Sequence, residues 1–208
     1  MAVSTDISRS STSFLLLGRL AKPALFVLCL FPLFSAVYGV AYNKLGANPV
    51  EVILHSSGEW GLRFLLITLC VTPIQVIFKW PAVARVRRML GLYAFFYASL
   101  HLLIWLALDQ GLDINEALKE IIEKKFITFG IIVWIGLLCL AATSNRWAVK
   151  KLGRNWKKLH NWVYVLTLFS VVHFIWQVKA SELLEPSIYL GAFTVLLLWR
   201  FYRLAARS

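Results

Sequence analysis

Three histidines, His101, His160 and His173, each stand inside a long apolar run of this chain of 208 residues. An ionisable side chain in hydrocarbon is costly and by default marks a function. Neutral imidazole is the commonest side-chain metal ligand and a standard axial ligand of haem iron. For one isolated membrane histidine, an interhelical hydrogen bond is the plainer reading. Two imidazoles at one depth on nearby helices favour a shared iron instead.

The elements that must position them are apolar helices. The chain is 60% hydrophobic and 15% charged, where soluble domains carry about a quarter charged residues. Its mean hydropathy is +0.71. Six runs approach the ~20 residues that span a bilayer core: Pro23–Tyr42, Trp60–Phe78, Leu90–Leu108, Phe126–Thr143, Trp156–Gln177 and Ser187–Tyr202.

The net charge of +12 would suit nucleic acid, but its placement excludes that partner. The basic residues fall in short segments between apolar runs. Arg9, Arg19 and Lys22 precede the first run, against Asp6. Lys79, Arg85, Arg87 and Arg88 follow the second. Arg146, Lys150, Lys151, Arg154, Lys157 and Lys158 follow the fourth, and Arg200, Arg203 and Arg207 end the chain. The three intervening loops are net negative. Lys and Arg stay on the cytoplasmic side. The expected fold is therefore an all-α integral membrane protein, a six-transmembrane-helix bundle with both termini cytoplasmic. Residues 23–202 form the bundle, flanked by a disordered tail over 1–22, Ser/Thr-rich from Ser4 to Ser13, and a short tail over 203–208. Gly39-Val40-Ala41 could pass for a signal-cleavage site, but the run before it exceeds a typical signal core, so retention is expected.

Depth follows from the 1.5 Å rise per residue. His101 lies eight residues before Asp109, about 12 Å deep, and His173 six before Lys179, about 9 Å deep. The third and fifth helices thus present imidazoles at one level, suited to opposite sides of one haem. His160 is two residues past Lys158, about 20 Å below His173 along an ideal helix. It suits a second haem, although the two side chains diverge by about 140° unless a bulge intervenes. Fourteen residues before His101 stands Arg87, and arginine is not expected to ligate iron. Arg87 and Arg88 suit haem propionates or a flavin phosphate, or only set topology. Arg63, one turn into the second run, either snorkels or pairs with an outer propionate. His55 is expected to be a solvated loop residue. Cys29, Cys70 and Cys139 show no metal or disulfide spacing and are expected to pack inside.

The longest outer loop carries a pattern of its own. Ile114, Ala117, Leu118, Ile121 and Ile122 recur at helical spacing, Asp113 is placed to cap, and Lys119–Glu123 and Glu120–Lys124 pair at i,i+4. A short amphipathic helix on the outer membrane surface is expected, either a connector or a docking element for an external partner.

The stretch Arg87-Arg88-Met89-Leu90-Gly91-Leu92-Tyr93-Ala94-Phe95-Phe96-Tyr97-Ala98-Ser99-Leu100-His101 resembles the third helix of the haem-binding membrane subunits of the bacterial periplasmic protein-methionine-sulfoxide reductase system. Trp60-Gly61-Leu62-Arg63 through Thr72-Pro73 resembles their second helix. Leu140-Ala141-Ala142-Thr143-Ser144 is similar to their fourth, with Ala142 in place of an expected leucine. Leu152-Gly153, Trp156, Leu159-His160, Tyr164, His173-Phe174, Trp176 and Lys179 resemble their fifth. The wider group is the ferric-reductase-like transmembrane domain, whose members carry two histidines on each of two helices; here Arg87 stands where the fourth would be. Lys125 stands where that pattern has proline.

The resemblance implies one or two b-type haems, with FMN associated. It also implies a multi-pass place in the bacterial inner membrane. Electrons would pass from the respiratory chain, from quinol or through a flavin reductase, to a periplasmic molybdopterin-containing catalytic subunit that reduces methionine sulfoxide. No carboxylate or nucleophile constellation predicts a substrate-reducing site on this chain. Two rivals remain. The membrane part of a ferric reductase would need a separate nicotinamide and flavin domain, since no GxGxxG segment occurs. A proton-coupled transporter would use the histidines as relays and usually shows an internal repeat, which the sequence does not display.

Overall fold

The computed structural model describes residues 22–206. The expected tail before Lys22, and Arg207, lie outside the described residues. Six helices among the described residues are long and apolar enough to cross a membrane: Lys22–Ala41, Pro49–Ile77, Pro81–Asp109, Lys125–Ala142, Arg154–Gln177 and Leu184–Ala205. We label α1 Lys22–Ala41, α2 Pro49–Ile77, α3 Arg87–Ile104, α4 Ile114–Glu123 and α5 Lys125–Ala142. Two short helices follow, α6 Arg146–Leu152 and α7 Arg154–His160; then come α8 Val163–Gln177 and α9 Leu184–Ala205.

The second span begins eleven residues before the apolar run that predicts it. Asn48 caps α2 by accepting from the Glu51 backbone N–H at 3.4 Å, and Pro49 stands at the first helical position. An Asx cap and an N1 proline start a helix whatever its hydropathy. The turns thereby added carry Glu51, His55 and Glu59, the residues that depress the hydropathy average. His55 is accordingly not a loop residue but a half-buried side chain on α2. Arg87 and Arg88 likewise open α3 rather than lying in the loop, after a 3-10 stretch over Pro81–Val86. At its far end α3 loosens into a π turn over Trp105–Asp109. The fifth span is two helices, with Asn161 and Trp162 between them. There Trp162 donates to Leu159 O, a tighter i→i−3 step at 3.0 Å. His160 and His173 therefore stand on separate helical segments.

α2 and α3 share the largest interface, and α5 packs along α8. Gly61 lets the backbones approach: a Cβ there would stand 3.4 Å from Ala98 N and 3.6 Å from Ala94 O. Small residues at such crossings are how membrane helices gain van der Waals contact without a hydrophobic drive. At Gly136 on α5 a side chain, not a backbone, takes the space: Leu166 of α8 packs onto it.

α1 is bent where Pro32 lacks an N–H and Leu30 turns back to Val27 O at 3.0 Å. With Leu30 N–H turned to Val27 O and Leu33 N–H turned to Tyr97, the Phe26 and Cys29 carbonyls are bonded instead by tyrosines one turn apart on α3. Tyr93 donates to Phe26 O at 2.8 Å and Tyr97 to Cys29 O at 2.8 Å. The Tyr97 hydroxyl also accepts from Leu33 N at 3.3 Å, so it stands in for a missing rung of the helix ladder. Phe64 stacks on both rings, with centroids 5.6 and 5.3 Å away. Replacing Tyr97 with Phe is expected to cost about 1–2 kcal/mol, since membrane hydrogen bonds between helices are modest. The readout is a lower thermal midpoint in detergent; an unchanged midpoint would show that the bend holds without the hydroxyl.

α4 is the amphipathic helix read from the loop. Asp113 caps it, accepting from Asn115 N at 2.9 Å and Glu116 N at 3.1 Å. Lys124 pairs with Glu120 as expected. Lys119 instead pairs with Glu116 at 3.6 Å rather than with Glu123, because i,i+3 is also a facing spacing. Ala117 is buried, while Ile114, Leu118 and Ile122 are exposed. Of the cysteines only Cys29 is buried; Cys139 is exposed on the outside of α5, where an apolar face meets lipid and packing is not required.

Candidate functional site

His101 on α3 and His173 on α8 face each other across the middle of the four helices α2, α3, α5 and α8. Their ring centroids are 6.2 Å apart and their planes cross at 85°. His101 donates from Nδ1 to the Leu54 carbonyl at 2.9 Å. His173 donates from Nδ1 to the Phe126 carbonyl at 2.6 Å. A carbonyl only accepts, so both protons are on Nδ1 and both Nε2 atoms keep their lone pairs. That tautomer and that backbone anchor are what a ligating imidazole ordinarily shows.

Each anchor comes with a glycine one turn further on. A Cβ at Gly58 would stand 3.0 Å from His101 Nδ1, and one at Gly130 2.9 Å from His173 Cε1. The imidazoles thus lie in notches that any other residue would fill. The two halves also match in register: Leu54 to His101 and Phe126 to His173 are both 47 residues apart. One shift of 72 residues carries 54 to 126, 58 to 130 and 101 to 173. The α2–α3 and α5–α8 pairs are two copies of one device, which corrects the expectation of no internal repeat: three residue pairs carry it and hydropathy does not reveal it.

Between the imidazoles runs a cavity open at one end, lined by residues of α2, α3, α5 and α8. Leu65, Val133 and Leu137 wall its deep end and are buried. His55, Glu59 and Gln177 line its rim, at the end where α2 begins and α8 ends. The arrangement fits haem. His101 and His173 would hold its iron, since their rings stand 6.2 Å apart across the cavity and each Nδ1–H is already committed to a carbonyl, leaving Nε2 to ligate. Among the described residues no group of three or more His, Cys, Asp or Glu could hold a bare ion. Two imidazole nitrogens would suit an iron whose remaining donors come with its macrocycle.

The other expected residues lie elsewhere. His160 Nε2 is 3.1 Å from Thr143 Oγ1, and its ring stacks on Trp156 with centroids 4.1 Å apart. It does not line the cavity. Arg87 bonds to Thr72 Oγ1, and Arg88 is exposed; neither reaches the cavity. Arg63 is held by Glu59 at 2.7 Å, Glu185 at 3.1 Å and the Tyr189 hydroxyl at 2.7 Å. It does not line the cavity. Missed from the sequence were His55, Gln177, Gly58 and Gly130. The last two had a readable signal, because each precedes its histidine by 43 residues.

An all-helical membrane bundle that turns two anchored imidazoles on one slot is a cytochrome-like scaffold. A model of the family described as ferric reductase like transmembrane component matches residues 57–171. A protein of Bordetella pertussis is 43% identical over 88% of this chain and 89% of its own length. One of Brucella anthropi is 45% identical over 88% and 83%, and one of Azospira oryzae 43% over 86% and 77%. All three are named protein-methionine-sulfoxide reductase heme-binding subunit MsrQ. No solved structure matches. The chain belongs to the MsrQ family, within the ferric-reductase-like transmembrane group.

Proposed function

We propose that the chain is a membrane electron-transfer subunit that holds b-type haem between His101 and His173. The observation that carries this reading is the facing pair, centroids 6.2 Å apart, each Nδ1–H on a backbone carbonyl. When bound, haem supplies reversible one-electron storage. The chain's own residues fix the axial nitrogens, wall the group from lipid and tune it through the Leu54 and Phe126 carbonyls.

In this reading both termini and the basic loops are cytoplasmic and the acidic loops periplasmic, by the bias of Lys and Arg. Electrons come from the respiratory chain, from quinol or through a flavin reductase. They go to a periplasmic molybdopterin-containing catalytic subunit that reduces methionine sulfoxide in envelope proteins. α4, with its exposed Ile114, Leu118 and Ile122, lies on the outer surface where that subunit would dock. His160, Arg87 and Arg88 mark the other end, where a second haem or FMN would be held. The relatives' shared name supports the haem and the sulfoxide reductase partner.

The test is a dithionite-reduced minus oxidised spectrum of the purified chain, with haem counted per polypeptide. A b-type spectrum with one haem supports the His101–His173 site alone, and two haems bring in His160. No haem from cells supplied with haem precursor overturns the reading and leaves histidine-relayed proton transport.

A further inference from the structure

The cavity is graded, and its rim carries donors that nothing in the bundle uses. Gln177 Nε2 lies 3.3 Å from His55 Nε2. An amide nitrogen only donates, so His55 accepts at Nε2 and carries its proton on Nδ1. That leaves the His55 Nδ1–H and the second Gln177 amide hydrogen at the rim. The nearest guanidinium does not line the cavity and is held by acidic partners: Arg63 is bonded to Glu59 and Glu185. Glu59, the one carboxylate on the rim, is in turn occupied by Arg63 at 2.7 Å. At the opposite end Leu65 and Leu137 are buried and offer no polar atom.

We infer that His55 and Gln177 form a carboxylate-recognising edge, which binds the propionates of the haem and sets its rotation in the slot. The apolar edge of the tetrapyrrole then lies against Leu65 and Leu137. Two neutral donors suit this role, because a carboxylate is well held by charge-assisted hydrogen bonds without a buried counter-ion. The inference rests on the haem reading above, and replaces the expectation that Arg63 pairs with a propionate.

The test compares iron protoporphyrin IX with its dimethyl ester, which has the same ring and iron but no free carboxylates. Full-length chain made in a haem-deficient host is titrated with each in detergent, followed by the absorbance of the bis-imidazole product. The unmodified chain is expected to bind the diacid at least about tenfold tighter, the size of one hydrogen bond to a charged group. His55→Phe with Gln177→Leu is expected to bind both forms alike, with the bis-imidazole spectrum unchanged. Equal affinities in the unmodified chain would overturn the inference without touching the haem reading, and need no variant to fold. A preference that survives in the double variant would overturn the assignment to these two residues. Binding of neither form by the unmodified chain would overturn the haem reading itself.

Discussion

Replacing His101 or His173 with alanine is expected to leave a folded bundle that no longer retains haem. Substitution of residues that merely orient a ligating histidine costs roughly 10–100-fold in affinity, so loss of the ligand itself should exceed 100-fold. The fold should survive, because both rings border the cavity and are only half-buried. Neither side chain closes a hydrophobic cluster: the buried core is built instead around Phe64, Tyr93, Tyr97 and Leu137. The measurement is haem per polypeptide in each variant, beside helical circular dichroism. Normal haem content in both variants would sink the ligand assignment.

The second large effect is expected from residues without a side chain. Gly58→Val and Gly130→Val should each reduce haem retention by 10-fold or more, within the roughly 10–100-fold range for lost support of a ligand. A Cβ already meets the imidazoles at 3.0 and 2.9 Å, below the ~3.5 Å of ordinary carbon contacts. An imidazole is rigid and cannot fold out of the way. It must shift, and in shifting it loses its carbonyl at Leu54 or Phe126, which sit one turn from those glycines. Alanine at either position should give a milder loss in the same direction. Gly191, with nothing within 4 Å of its Cβ position, serves as the control: Gly191→Ala should retain haem in full. Full retention in both valine variants would show that the notches do not position the histidines.

The six spans were readable because hydropathy and loop charge are properties of short stretches, and each apolar run can be recognised alone. His101 and His173 were readable for the same reason: their depth needs only a count of residues from Asp109 and Lys179. The start of α2 was not, since Asn48 and Pro49 set a helix boundary that Glu51, His55 and Glu59 hide from a hydropathy average. The fate of Arg63 depended on Glu185 and Tyr189, more than 120 residues away in sequence. The anchoring of the histidines was hidden for a simpler reason. Backbone carbonyls have no letter in a sequence, so Leu54 and Phe126 read only as apolar residues. The doubled Gly–His spacing was the one trace on the page, and it becomes meaningful only when the two glycines are seen against the two rings.

The bend in α1 has a consequence for how the chain is made. Phe26 and Cys29 are translated 67 and 68 residues before the tyrosines whose hydroxyls bond their carbonyls. At about 5–20 residues per second, that is roughly 3–14 seconds of synthesis. Through that interval Leu30 N–H and Leu33 N–H can reach Phe26 O and Cys29 O by ordinary i→i−4 bonds, so α1 can be a more regular helix than it finally is. The turn at Leu30 is set only when α3 arrives beside it with Tyr93 and Tyr97. The first helix to be born is among the last to reach its final shape.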